Sequence, residues 1–227
     1  EFYVVYQPQI CPVSGEVEGF EALLRWRSDG VLIPPLKFIQ IAEENGFIIQ
    51  LGEWVLRQAC KDIVKLNKER NTNYRISVNA SVIQLLQSDF VQMVLGVVQE
   101  TGLSPEQLIL EVTESVFMES AEYIAEQLKR LRNEKIGIAL DDFGTGYSSL
   151  AYLKDFPITI IKVDKIFIDS ILGTQSIHNI TDTIINLGHE LHLKVVAEGV
   201  EEKEQVSFLL NSQCDLIQGF FYAKPMA

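Results

Sequence analysis

The sequence predicts an α/β fold, a TIM-like (β/α)8 barrel with the first strand antiparallel, and three observations carry the prediction. Eight apolar runs of strand length recur along the chain, helix-like segments with start and stop signals separate most of them, and the strands after the first end in polar or charged side chains. Strands alternating with helices build parallel βαβ units, and eight of them close into a barrel more readily than they spread into an open sheet.

The strand candidates are residues 3–7, 19–26, 74–79, 108–113, 136–141, 159–164, 194–198 and 216–222. Only some ten residues, including the turn-like Pro12-Val13-Ser14-Gly15, separate the first two. That is too short for a right-handed helical crossover, so strand one should run antiparallel to strand two. Pro34-Pro35 precedes a helical pattern over 36–44 that stops at Asn45-Gly46, a proline start and a glycine stop. Residues 51–69 carry Trp54, Val55, Ala59, Ile63 and Leu66 at helical spacing. Ser88-Asp89 leads into 90–100, ended by Gly102, and Ser104-Pro105-Glu106-Gln107 reads as a capped turn. Helical patterns over 119–133, 147–154, 176–191 and 201–211 complete the alternation.

At 47% hydrophobic and 22% charged, the 227 residues hold enough apolar material for one large core. A single barrel domain over 1–227 is expected, and the start at Glu1 inside a strand-like run reads as a domain excised from a longer multidomain protein. No run approaches the roughly 18 apolar residues of a spanning helix, and no basic-then-apolar signal opens the chain. This segment is therefore expected to be soluble, without membrane contact, and cytoplasmic or the cytoplasmic portion of a membrane-anchored protein. Cys11, Cys60 and Cys214 lack metal-like spacing and read as reduced structural thiols. A formal charge of −12 is the wrong sign for gripping a DNA or RNA polymer by counterion release. A small phosphorylated ligand fits only if metal ions reverse the local charge.

The chemistry gathers at the strand ends. They carry Glu21, Asn79, Glu111, Asp141 with Asp142, Lys162 with Asp164, Glu198 and Gln218. In a barrel the carboxyl ends of the strands converge on one face. Alternation puts Gly19, Glu21, Leu23 and Arg25 on one side of strand two, and Ile160, Lys162 and Asp164 on one side of strand six. Each residue has a structural alternative: Asn79 could cap a helix after Ser81, Lys162 could pair with Asp164, and Glu111 and Glu198 could be surface residues. Asp141-Asp142 before Phe143-Gly144 could be turn chemistry as readily as a metal site. Together the carboxylates would repel one another unless cations lie among them. All-oxygen donors suit Mg²⁺ or Mn²⁺ rather than zinc. His178, His189 and His192 lie in or beside one helical pattern and read as surface residues.

At this point the motifs resemble the EAL domains, bacterial phosphodiesterases that linearise cyclic di-GMP. The resemblance rests on EALLRW at Glu21 to Trp26, preceded by YQP at Tyr6 to Pro8, then SVNAS around Asn79, EVTES from Glu111, DDFGTGYSSL from Asp141, IKVD around Lys162, AEGVE from Ala197 and QGF from Gln218. It implies that Glu21, Asn79, Glu111 and Asp141 bind one Mg²⁺ or Mn²⁺ and that Asp141 and Asp142 bind a second, with two ions per active site. It implies that Lys162, Glu198 and Gln218 order the attacking water and the outer shell, that Leu23, Arg25 and Gln7 contact substrate, and that Glu114 steadies the loop after Asp142. Glu198, Lys162 and the metals remain alternative acceptors of the water's proton. The resemblance further implies a regulatory domain N-terminal to this segment, and a homodimer through helices near the Asp-Asp loop, with Tyr147, Leu150 and Leu153 as apolar candidates. The rival readings are a catalytically silent cyclic di-GMP receptor or interaction module, and a barrel enzyme of enolase type.

Overall fold

The computed structural model describes residues 1–117, 120–144, 156–172 and 175–227. Nine strands form one mixed sheet: β1 Phe2–Ile10, β2 Val17–Ser28, β3 Val31–Ile33, β4 Arg75–Asn79, β5 Leu108–Thr113, β6 Gly137–Phe143, β7 Ile160–Val163, β8 Lys194–Ala197 and β9 Leu216–Ile217. The order β1-β9-β8-β7-β6-β5-β4-β2, returning to β1, closes an eight-stranded barrel, and β3 is added outside the ring on β2. Within the ring every junction from β2 through β4 to β9 is parallel, whereas β1 runs antiparallel to both of its neighbours and β3 antiparallel to β2. The short first connection had predicted that reversal. The β1–β9 seam is brief, a single pair Ile10↔Ile217, and the chain end reinforces it through a bridge between Tyr6 and Met226.

Two strand predictions need correction. β3 was not expected, although its signal was present: Asp29 and Gly30 both adopt positive φ in the two-residue turn joining Ser28 to Val31, the Asp-Gly hairpin chemistry that matches strand twist. The last strand is Leu216–Ile217 and not 216–222. Beyond it the backbone passes close to Val200, where a Cβ on Gly219 would lie 2.0 Å from the Val200 carbonyl oxygen.

The described helices are α1 Pro35–Glu44, α2 Ile48–Arg70, α3 Val82–Leu85, α4 Phe90–Thr101, α5 Ala121–Asn133, α6 Lys165–Asp169, α7 Gln175–Glu190 and α8 Lys203–Asn211. The predicted helix over 147–154 lies outside the described residues. Pro35 opens α1, and Asn71 and Gly102 end α2 and α4 in the left-handed conformation. α2 buries Leu51, Val55, Ala59 and Ile63, a four-residue repeat along one stripe, while Trp54 is turned outward at 38% exposure. Among the described residues no helix is long and apolar enough to cross a membrane.

Inside the barrel the residues stack in layers. Ile109, Ala139, Ile160, Val196 and Leu216 form a dry plug with Cys11 at the end where the parallel strands begin. Two residues further along the same strands come Glu111, Asp141, Lys162, Glu198 and Gln218. Strand alternation returns each to the face of its predecessor, so the apolar plug sets the floor on which the polar layer stands.

Candidate active site

Lys162 stands at the centre of the polar layer and is 1% exposed. Its Nζ lies 2.5 Å from Glu111 Oε2, 2.8 Å from Glu198 Oε1, 3.2 Å from Asp141 Oδ1 and 3.6 Å from Glu21 Oε2. The alternative pairing with Asp164 does not occur: Asp164 caps α6 by accepting the Ile166 amide at 2.8 Å. Asn79 does not act as a helix cap either; its Nδ2 donates to Glu21 Oε1 at 2.8 Å. Among the described residues, four carboxylates, those of Glu21, Glu111, Asp141 and Glu198, lie within 4 Å of this single ammonium, and Asp142 adds a further, exposed carboxylate beside Asp141 and Glu198.

The electrostatics follow from that imbalance. Burial and the Glu21 charge push the Glu111 carboxyl well above the usual carboxylate range, and burial does the same to Glu198. Burial alone would lower the Lys162 ammonium, but Asp141, Glu111, Glu198 and Glu21 outweigh it and hold its pKa above lysine's ordinary value. Burial, then the neighbouring Asp141 and Asp164, raise Asp142 to about 6. Glu111 Oε1 is buried and accepts no hydrogen bond among the described residues. An orphaned carboxylate oxygen beside further oxygen donors fits a divalent cation, which would supply the missing partner.

Two adjacent aspartates on a regular strand would face opposite ways. Here the pairing register shifts between Leu140 and Phe143, and Asp142 takes φ = 54°. Such a bulge re-aims side chains. Oxygens of Asp141, Asp142 and Glu198 thereby come within 4.8 Å of one another, a grouping able to hold a metal ion. The turn reading and the metal reading of this stretch are thus compatible: the left-handed Asp142 and Gly144 make the turn that lets both carboxylates converge. Glu114, 9% exposed, accepts the Gly144 amide at 2.7 Å and ties the segment after Asp142 to the end of β5.

Beside the acids runs a groove of about 610 Å³, mostly apolar, lined by Leu23 and Arg25 of β2, Pro35 of α1, Asn79, Asp141 and Asp142. Gln7 stands opposite Glu21 in the β1–β2 pairing. It is 7% exposed, does not line the groove, and has both ends of its amide engaged: Nε2 donates to the Ala223 carbonyl and Oε1 accepts from Gln218. Gln9, which drew no notice in the sequence, joins the same network at 3% exposure, and the repeat Gln7, Gln9 on the inward side of β1 was its signal. His189 is not a free surface residue, because its ring bonds Asp215 Oδ2 at 3.0 Å. Cys60 and Cys214 are buried and their thiols are pushed up to about 12 by that burial, in keeping with structural roles. The proposed dimer residues Tyr147, Leu150 and Leu153 lie outside the described residues.

Comparison with known proteins places this geometry in context. The family model described as "EAL domain" matches residues 1–225. A cyclic di-GMP phosphodiesterase of Pseudomonas aeruginosa, NbdA, is 42% identical over 97% of this chain and 28% of its own length. Cyclic di-GMP phosphodiesterase PdeR of Escherichia coli is 37% identical over the whole of this chain and 34% of its own length. The chain therefore spans about a third of these curated relatives. Among solved structures, the PaMucR phosphodiesterase in complex with c-di-GMP superposes with a TM-score of 0.92 at 40% identity, over 99% of this chain and 92% of that one.

Proposed function

Because the chain belongs to the EAL domain family, we propose that it is a metal-dependent phosphodiesterase domain that hydrolyses cyclic di-GMP to linear pGpG. The observation that carries the reading is the convergence of Glu21, Glu111, Asp141, Asp142 and Glu198 around the buried Lys162, next to the groove lined by Leu23 and Arg25. Glu21, Asn79, Glu111 and Asp141 would hold one Mg²⁺ or Mn²⁺, and Asp141 and Asp142 a second. When bound, such ions neutralise the carboxylates and acidify a water.

The chain's own residues do the rest. Leu23 and Arg25 orient the dinucleotide in the groove so that one phosphodiester reaches the acids. Lys162, kept cationic by its four carboxylates, offsets negative charge developing on the phosphate oxygens. Glu198, 2.8 Å from Lys162 Nζ, is one of the acceptors open to the proton of the attacking water. The water oxygen forms its bond to phosphorus, the bond from phosphorus to the 3′ oxygen breaks, and the proton taken from the water is returned to that oxygen as it leaves. Glu114 keeps Asp142 in place through the Gly144 amide. Gln7, which accepts from the Gln218 amide, is proposed as a further substrate contact of the same site.

The same proposal includes a cytoplasmic setting, a regulatory domain on the N-terminal side of this segment, and a homodimer, the last checked by sedimentation of the chain with and without ligand. The test of the activity is incubation with cyclic di-GMP and Mg²⁺ or Mn²⁺, followed by chromatography. Appearance of pGpG supports the reading. Tight binding of cyclic di-GMP without product would convert the domain to a receptor, and neither binding nor product would remove the proposal.

A further inference from the structure

We infer that Gln9 is a positioning residue for the metal site, acting through Gln218 on Glu21; the inference rests on the assignment of Glu21 as a metal ligand. The contacts form one chain. Gln9 Nε2 donates to Gln218 Oε1 at 3.1 Å, and Gln218 Nε2 donates to Glu21 Oε2 at 2.5 Å and to Gln7 Oε1 at 3.2 Å. All four side chains are at most 7% exposed, so water is a poor substitute for any of these partners.

A primary amide has one accepting and one donating end, and its two orientations have the same shape. What selects between them is the polarity of its neighbours. Gln9 presents a donor to the oxygen of Gln218. Gln7, its own Nε2 committed to the Ala223 carbonyl, presents an acceptor to the nitrogen. Both neighbours therefore demand the orientation in which the Gln218 amide group faces Glu21. In the flipped orientation two carbonyl oxygens would meet at Gln7, two amide groups at Gln9, and an oxygen would be aimed at a carboxylate.

Glu21 is then held on both oxygens, Oε1 by Asn79 at 2.8 Å and Oε2 by Gln218. The fold prepares this. Opposite Gln9 in the β1–β2 pairing stands Gly19, which has no side chain to fill the barrel interior at that level, and the register shifts just beyond Gln9. On the outer side of β1, Tyr6 donates to Asp62 of α2 at 2.5 Å and Gln58 braces the same carboxylate, anchoring the strand that carries Gln7 and Gln9.

Removing the Gln9 donor leaves the Gln218 oxygen without this partner and loosens the amide that holds Glu21 Oε2, while Gln7 and Asn79 keep their contacts. Partners in direct contact with metal ligands typically change metal affinity by about 10- to 100-fold. One step further out, the expected loss is about 3- to 10-fold. The test measures Mn²⁺ dissociation constants, by calorimetry or by paramagnetic resonance of free Mn²⁺, for the unaltered chain, Gln9→Met, Gln218→Met, the double variant and Glu21→Ala. The expected result is about 3- to 10-fold weaker binding for Gln9→Met, a larger loss for Gln218→Met, and no further loss in the double variant, because the two act in series. Should Gln9→Met not fold, Gln9→Asn, one methylene too short to reach Gln218, takes its place. Unchanged Mn²⁺ affinity in the Gln9 variant, or losses that simply add, would overturn the positioning role while a weakened Glu21→Ala leaves the metal assignment standing. Unchanged affinity in Glu21→Ala would overturn both.

Discussion

Replacing Lys162 by methionine removes the cation that the described residues place in the acidic layer, while nearly conserving volume. Without the lysine, Glu111 Oε2, Glu198 Oε1, Asp141 Oδ1 and Glu21 Oε2 all lose a cationic partner within 3.6 Å. Removing one member of a buried ion pair typically costs about 3–5 kcal/mol, and a lysine that is 1% exposed loses little of this to solvent screening. The metal-free variant should therefore unfold at lower urea concentration at pH 8, with a melting temperature lower by about 6–20 °C at the 2–4 °C per kcal/mol typical of this chain length. The deficit should shrink toward pH 6, because Glu111 and Glu198 have carboxyls already pushed upward and can relieve the repulsion by taking protons. Saturating Mn²⁺ should restore part of the stability and little of the turnover, since the ions replace the lysine's charge but not its place beside the phosphate. Denaturation in EDTA and in Mn²⁺ at both pH values provides the assay. A Lys162→Met chain as stable as the unaltered one in EDTA at pH 8 would refute the picture of a lysine holding the acids together.

The other predictions follow from single contacts. Asp142 has a folded pKa raised to about 6 from the ordinary aspartate value near 3.8, so the folded chain binds more protons than the unfolded one between those limits. Its contribution makes the metal-free protein more stable as pH falls from about 7 toward 4, and divalent-ion affinity should weaken over the same interval; equilibrium unfolding and Mn²⁺ titration across pH check both signs. Asp141→Ala should abolish turnover, and a rate close to the unaltered chain would remove its assignment as the shared ligand. Glu114→Ala removes the acceptor of the Gly144 amide, and should lower turnover by about tenfold, with faster hydrogen exchange at Gly144 and little change in global stability. Gly219→Ala forces a Cβ to within 2.0 Å of the Val200 carbonyl oxygen; a destabilisation of at least about 1–3 kcal/mol is expected from overpacking, measured by urea unfolding.

Much of this protein is local in origin and therefore readable in one dimension. Strand-length apolar runs, proline starts and glycine stops give the eight barrel strands and most of the helices, because periodicity and backbone preference act over a few residues. The antiparallel first strand follows from connection length alone. So does the placement of Glu21, Asn79, Glu111, Asp141, Glu198 and Gln218 at one mouth, once strands ending in polar residues are taken to be parallel. β3 was legible too, in Asp29-Gly30, but three residues make a weak strand signal.

The tertiary structure decided the rest, because it depends on contacts between distant parts of the chain. Whether Lys162 meets Asp164, two residues away, or Glu21 and Glu111, 141 and 51 residues away, is a matter of barrel closure, and closure chose the distant carboxylates while Asp164 capped α6. A bulge, invisible to strict alternation, brought Asp142 to the same side as Asp141. The meeting of β1 with β9 buried Gln7 beneath the site and made Gln9 a partner of Gln218. The sequence by itself determined which side chains stand at the mouth; the order in which the strands close the ring determined which of them touch, since a barrel makes neighbours of residues that the chain holds far apart.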